Sequence, residues 1–175
     1  MNKLIKTFSA AALVSALSIP AVAATDGSLG ATSSGSTDVS LTIQDRVQIS
    51  GMTNVALGSY TGTGDLTGST DYCAYRNGGG NYTVKLTSST GSFAVANGGD
   101  SIAFAVRADV AGDGDASDGE VLSYNSVSSS MAGDAAVDCS SSTNGQLHFT
   151  LAEAALQAAP SKTYTATVTV LVEPI

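Results

Sequence analysis

Along most of the chain apolar residues alternate singly with polar ones, the period-two signature of strands with one buried face. Val39, Leu41 and Ile43 open the pattern, Val47 and Ile49 continue it, and Val55 and Leu57 resume it after Ser50-Gly51. Tyr72 to Tyr75 predicts a short strand, and Tyr82, Val84 and Leu86 a second one; Asn77-Gly78-Gly79-Gly80 between them reads as a hairpin turn. Phe93 and Val95 come next, then Ile102, Phe104 and Val106, a weaker run at Val121, Leu122 and Tyr124, and Leu147, Phe149 and Leu151. Val137 to Cys139 is expected to pair back onto the sheet. The strongest run closes the chain: Tyr164, Ala166, Val168, Val170 and Val172 face one way, and Thr163, Thr165, Thr167, Thr169 and Leu171 the other.

What separates these runs is as telling. Residues 24–37 are small and polar and predict a flexible leader. Residues 61–71, rich in glycine and hydroxyls, predict a loop, and residues 109–120 an acidic loop. Only Ala152 to Ala159 favours helix, and Pro160 ends it. About eight short strands without long amphipathic helices predict an all-β, antiparallel sandwich or barrel, with residues 38–175 as a single domain. No internal repeat suggests a solenoid or propeller.

The N-terminus changes the compartment. Lys3 and Lys6 precede an apolar run from Phe8 to Ile19, Pro20 breaks it, and Ala21-Val22-Ala23 supplies small residues for cleavage. This is the layout of a signal peptide over residues 1–23, too short to span a bilayer stably, and it predicts export. No later segment of the mature chain reads as a membrane span. In an oxidising compartment Cys73 and Cys139 are most simply one disulfide, and two cysteines with a lone histidine make a poor metal-ligand set. The formal charge of −8 becomes more negative once the signal is removed, which argues against nucleic acid or anionic lipid as partners.

Candidate chemistry is sparse. The lone histidine, His148, lies within the Leu147–Leu151 alternation, where it is expected to face solvent or a strand edge. No G-x-S-x-G elbow accompanies it, so neither enzyme activity nor a catalytic residue is expected. Gly62 to Gly68 has the wrong spacing for a dinucleotide loop and no helix behind it. No carboxylate pair is placed to act as in a glycosidase, and without tryptophan a sugar platform would rest on tyrosine. Asp113, Asp115, Asp118 and Glu120, with Asp109 nearby, could gather oxygens for Ca²⁺. Yet Asp118 stands where an EF-hand requires glycine, and Tyr124 where it requires glutamate, so a solvated loop is the simpler reading. No cofactor is expected.

The run Lys162-Thr163-Tyr164-Thr165-Ala166-Thr167-Val168-Thr169-Val170 resembles the closing strand of pilins assembled by the chaperone–usher route. Val55-Ala56-Leu57-Gly58-Ser59-Tyr60 looks like the early hydrophobic-Gly-x-Tyr element of their archaic, spore coat U-like branch. The polar leader followed by Val39, Leu41 and Ile43 looks like a donor strand. The resemblance implies an immunoglobulin-like β-sandwich that lacks one strand and receives it from a neighbour. Val39, Leu41 and Ile43 would be the donor side chains, and Val168, Val170 and Val172 part of the groove. Such an open edge invites strand addition, and head-to-tail exchange makes a fibre. The implied function is a structural subunit of a surface fibre for adhesion or biofilm. Its partners would be like subunits, a periplasmic chaperone and an outer-membrane usher. The chain would pass through the periplasm to the cell surface. The alternative is a monomeric secreted β-sandwich binding module, of which a Ca²⁺-dependent form would use the acidic loop.

Overall fold

The computed structural model describes residues 24–109 and 116–175; the expected signal peptide, Asp113 and Asp115 lie outside them. The described residues fall in two units, one ending at Ile43 and the other Gln44–Ile175.

In the first unit, Thr25 and Ser36 exchange two backbone hydrogen bonds of 2.9 Å, closing a loop where the sequence predicted a flexible leader. Gly27 is required inside it, because a Cβ there would fall 2.0 Å from Ser33 Oγ. Val39, Leu41 and Ile43 follow. They belong to no strand and are 91%, 84% and 73% exposed. Among the described residues, the half-buried strand that their alternation predicts is therefore not formed.

The second unit contains β1 (Val47–Ser50), β2 (Leu66–Arg76), β3 (Asn81–Ser88), β4 (Ala94–Asn97), β5 (Asp100–Ala103), β6 (Ala105–Asp109), β7 (Glu120–Leu122), β8 (Met131–Ala132), β9 (Gly145–Leu151), α1 (Glu153–Ala158) and β10 (Val168–Pro174). One antiparallel sheet has the order β1-β2-β9-β6-β7, a second β10-β3-β8, and β4-β5 form a hairpin. The inward residues of these strands make one core. Tyr72, Tyr82, Leu86, Leu147, Val84 and Val106 are fully buried within it. The all-β antiparallel sandwich expected from the alternation is present.

Several boundaries differ from the sequence reading for physical reasons. The run 61–71 is loop only as far as Asp65, and β2 begins at Leu66, in register with Leu151 of β9. Its glycine has a packing role: a Cβ on Gly68 would lie 2.6 Å from Val55 and 2.8 Å from Leu57, which cross over the strand there. Gly145 similarly leaves space for the Tyr72 ring, which a Cβ would meet at 2.3 Å. The Ile102-Phe104-Val106 alternation is continuous in burial, but the backbone changes partner at Phe104, from β4 to β9. Val137 forms no strand; it leads into a short 3-10 turn, Cys139–Ser141. That turn is tied to β2 by the Cys73–Cys139 disulfide, with Cα atoms 5.8 Å apart. The C-terminal run also divides: Thr165 pairs with Ala96, and the ladder with β3 starts only at Val168.

Candidate functional site

β10 pairs with β3 on one edge and has no strand on the other, and β1 is likewise a sheet edge. After β1 the chain continues as Gly51–Thr61, which forms no strand. Val55, Leu57 and Tyr60 are half-buried there and pack on the core. Among the described residues, Gly51–Thr61 makes no backbone-to-backbone hydrogen bond, and neither does Ala166. Thr53 N–H instead bonds to the Thr70 hydroxyl at 2.9 Å. One wall of an opening into the sandwich is thus unpaired along its backbone, and the other at Ala166, between Thr165, bonded to Ala96, and Thr167, bonded to Ser89.

That opening holds two adjoining cavities. One, of about 400 Å³, lies between Met52–Leu57 and Ala166–Val168, with Phe104 and Phe149 among its lining. The other, of about 670 Å³, lies between Leu57–Gly62 and Pro160–Tyr164, with Ile102 and Leu156 in its lining. Leu57, Val95 and Leu151 line both. The ends of the second cavity are held by polar contacts. Asp65 caps α1 by accepting from Glu153 N–H at 2.8 Å. Lys162 is ion-paired with Asp100, and this contact raises its pKa. The Tyr60 hydroxyl is buried and has no hydrogen-bond partner among the described residues.

Of the groove residues named from sequence, Val168, Val170 and Val172 all sit half-buried on the inward face of β10, opposite Ser88, Leu86 and Val84. Only Val168 lines either cavity. Val170 and Val172 line neither cavity, and β10 approaches β1, with Cα atoms of the two strands within 8 Å. Arg76 closes that end. Its Nη2 donates to Asp45 at 3.2 Å, and its Nη1 to the carbonyls of Asn81 and Ile175. Asn77 pins the entry to β1: its Oδ1 accepts from Arg46 N–H at 2.8 Å and its Nδ2 donates to the Gln44 carbonyl at 3.1 Å. Sequence reasoning did not find Arg76. Its position beside a hairpin turn carries no signal until three separate segments, at Asp45, Asn81 and Ile175, converge on it.

Elsewhere the structure corrects one expectation. His148 is buried at 8% exposure rather than facing solvent, because β9 is a central strand covered on both faces. Its Nε2 lies 3.9 Å from Asp109 Oδ2, beyond hydrogen-bonding range. Ser69 stands opposite it in register, but no hydrogen bond joins that hydroxyl to the imidazole among the described residues. In the acidic loop, Asp118 is exposed, and both Glu120 carboxylate oxygens accept from Ser129 N–H at 2.9 Å. Among the described residues no cluster of three potential metal ligands occurs. In the core, Tyr82 donates to the Tyr72 oxygen at 3.3 Å. Burial, then the charge and hydrogen bond of Tyr82, push the Tyr72 pKa well above its ordinary value; burial raises that of Tyr82 too.

No protein-family model and no curated protein matches the sequence. Among solved structures the chain is similar to one in the structure described as "Chaperone-tip adhesin complex is vital for synergistic activation of CFA/I fimbriae biogenesis". The TM-score is 0.50 and the identity 15%, over 74% of this chain and 42% of the other. The chain therefore spans less than half the length of that neighbour. At this identity the likeness is one of fold, and the fold is an immunoglobulin-like antiparallel β-sandwich. Among the described residues no helix is long and apolar enough to cross a membrane.

Proposed function

We propose that the chain is an exported structural subunit of an extracellular fibre of the chaperone–usher kind, assembled by donor-strand exchange and serving adhesion or biofilm formation. The observation that carries this is the presence, in one sequence, of an open groove and an exposed segment with the alternation of a strand. The groove has an apolar floor and unpaired backbone along one wall and at Ala166 of the other. Val39, Leu41 and Ile43 stand exposed at alternate positions, the spacing that a groove reads. Seated in a second copy, they would exchange water for the core, and their backbone would satisfy the walls. The fold shared with a chain of a chaperone–tip adhesin complex supports the same reading, as does the resemblance of residues 55–60 and 162–170 to the archaic, spore coat U-like branch. By this reading a periplasmic chaperone covers the groove until an outer-membrane usher presents the next subunit.

The test is electrophoresis, without boiling, of surface material sheared from the producing cells. A ladder of multimers that collapses to one band on boiling, and vanishes when Thr37–Ile43 is deleted, is the expected result. A single monomer band from wild-type cells that display the protein would refute polymerisation.

A further inference from the structure

We infer that an incoming strand seats only in the half of the groove between Met52–Tyr60 and Thr163–Val168, and that Arg76 holds the other half, between β1 and β10, shut. This rests on the strand-exchange reading and refines it, since it moves the contact away from Val170 and Val172.

Three observations carry it. The first is space. Where β1 passes β10 their Cα atoms approach within 8 Å, whereas a strand inserted between two others sets them about 9.5 Å apart. Both cavities lie beyond that stretch, along Met52–Gly62 on one wall and Pro160–Val168 on the other.

The second is the fastening at the closed end. The Arg76 side chain is only 11% exposed. It reaches Asp45 just before β1, Asn81 at the start of β3 and Ile175 just after β10. A planar guanidinium with several fixed donors can hold three acceptors at once, which a lysine ammonium on a flexible stem does poorly. Spreading β1 from β10 would break these charge-assisted bonds to a guanidinium that is itself largely shielded from water, although its Asp45 partner is open to solvent.

The third is fit. At about 3.4 Å per residue, Val39–Ile43 spans roughly 14 Å and Thr163–Val168 roughly 17 Å, so three alternate side chains match the open stretch. Tyr60 lines the larger cavity, and its hydroxyl, shielded from solvent and without a partner among the described residues, becomes satisfied if it turns toward a carbonyl of the seated strand that accepts from it.

The test places a photo-crosslinking residue at position 41 in the full chain. Assembled multimers are irradiated and the joined peptides mapped by mass spectrometry. Crosslinks between copies to Leu57, Tyr60, Tyr164 or Val168 are expected. In Arg76→Met the map should extend to Val170 and Val172. Tyr60→Phe should release strands about 2–10-fold faster, the worth of one buried hydrogen bond. A ladder whose crosslinks fall on Val172 or β1 in the wild type would overturn the confinement and leave the fibre reading standing. Crosslinks within single copies, with no ladder, would overturn both. Should Arg76→Met fail to fold, the wild-type map and Tyr60→Phe decide the matter.

Discussion

Truncating the exposed strand should separate two properties that usually fall together. In the isolated subunit Val39, Leu41 and Ile43 are 91%, 84% and 73% exposed, so Leu41→Ala removes almost no buried contact there. Monomer stability should stay within about 0.5 kcal/mol, the usual range for surface substitutions, and Tm within about 2 °C. In the assembled state the same leucine would be buried on the core of a neighbour. Burying a leucine side chain is worth about 1.5–3 kcal/mol, and the three carbons lost to alanine represent about 2 of these. That corresponds to roughly 30-fold faster dissociation of each junction. Val39→Ala, a smaller loss, should accelerate it less. The assay is the half-life of unboiled multimers at a fixed temperature, alongside thermal unfolding of purified monomer. If Leu41→Ala lowered monomer Tm by many degrees while leaving multimer lifetime unchanged, the side chain would belong to its own sandwich and the reasoning would fail.

Other consequences follow from the same geometry. Gly68→Val should displace the Val55–Leu57 wall, since even a Cβ meets Val55 at 2.6 Å; a cost of about 1–3 kcal/mol is expected by denaturant titration, with weakened strand uptake. Replacing Cys73 and Cys139 by alanine should cost about 4 kcal/mol on the loop-entropy account, and reductant should act on the wild type only as it unfolds, because both sulfurs' residues are buried. Stability should fall as pH rises past the ordinary tyrosine value of 10.0: the unfolded chain then ionises while Tyr72 and Tyr82, their pKa values raised, stay neutral in the fold. Each such group contributes a slope of at most about 1.4 kcal/mol per pH unit, so Tyr72→Phe should flatten the alkaline limb of a stability–pH profile.

How much was legible in the sequence depended on whether a feature was local. Alternation located nearly every strand, because burial on one face imposes period two wherever the partner lies. Leu66–Asp71 escaped because two of its three inward positions are Gly68 and Thr70, whose smallness makes room for the preceding segment around Thr53–Leu57; alternation shows one apolar residue there, Leu66, and no run. The division of the last run at Val168 is set by which strand lies beside it, and sequence does not encode that locally. The same limit applies to the site. Val39, Leu41 and Ile43 were legible as a strand by alternation and as a donor only through the family resemblance, and Val168 was visible as one of three groove residues without the distinction that, of the three, only it lines a cavity. Residues 55–60 stood out by resemblance as a hydrophobic-Gly-x-Tyr element, but that they form a wall with unpaired backbone is a property of the fold. Burial of His148 followed from the central place of β9, which alternation does not reveal.

The central claim, that one copy's strand completes another's sandwich, is tested most directly by amide hydrogen exchange at residues 37–43, measured in monomer and in assembled material. The account predicts rapid exchange in the monomer, where these residues belong to no strand, and protection of alternate amides once assembled. Protection already present in the monomer, or exchange as fast in the multimer as in the monomer, would contradict it.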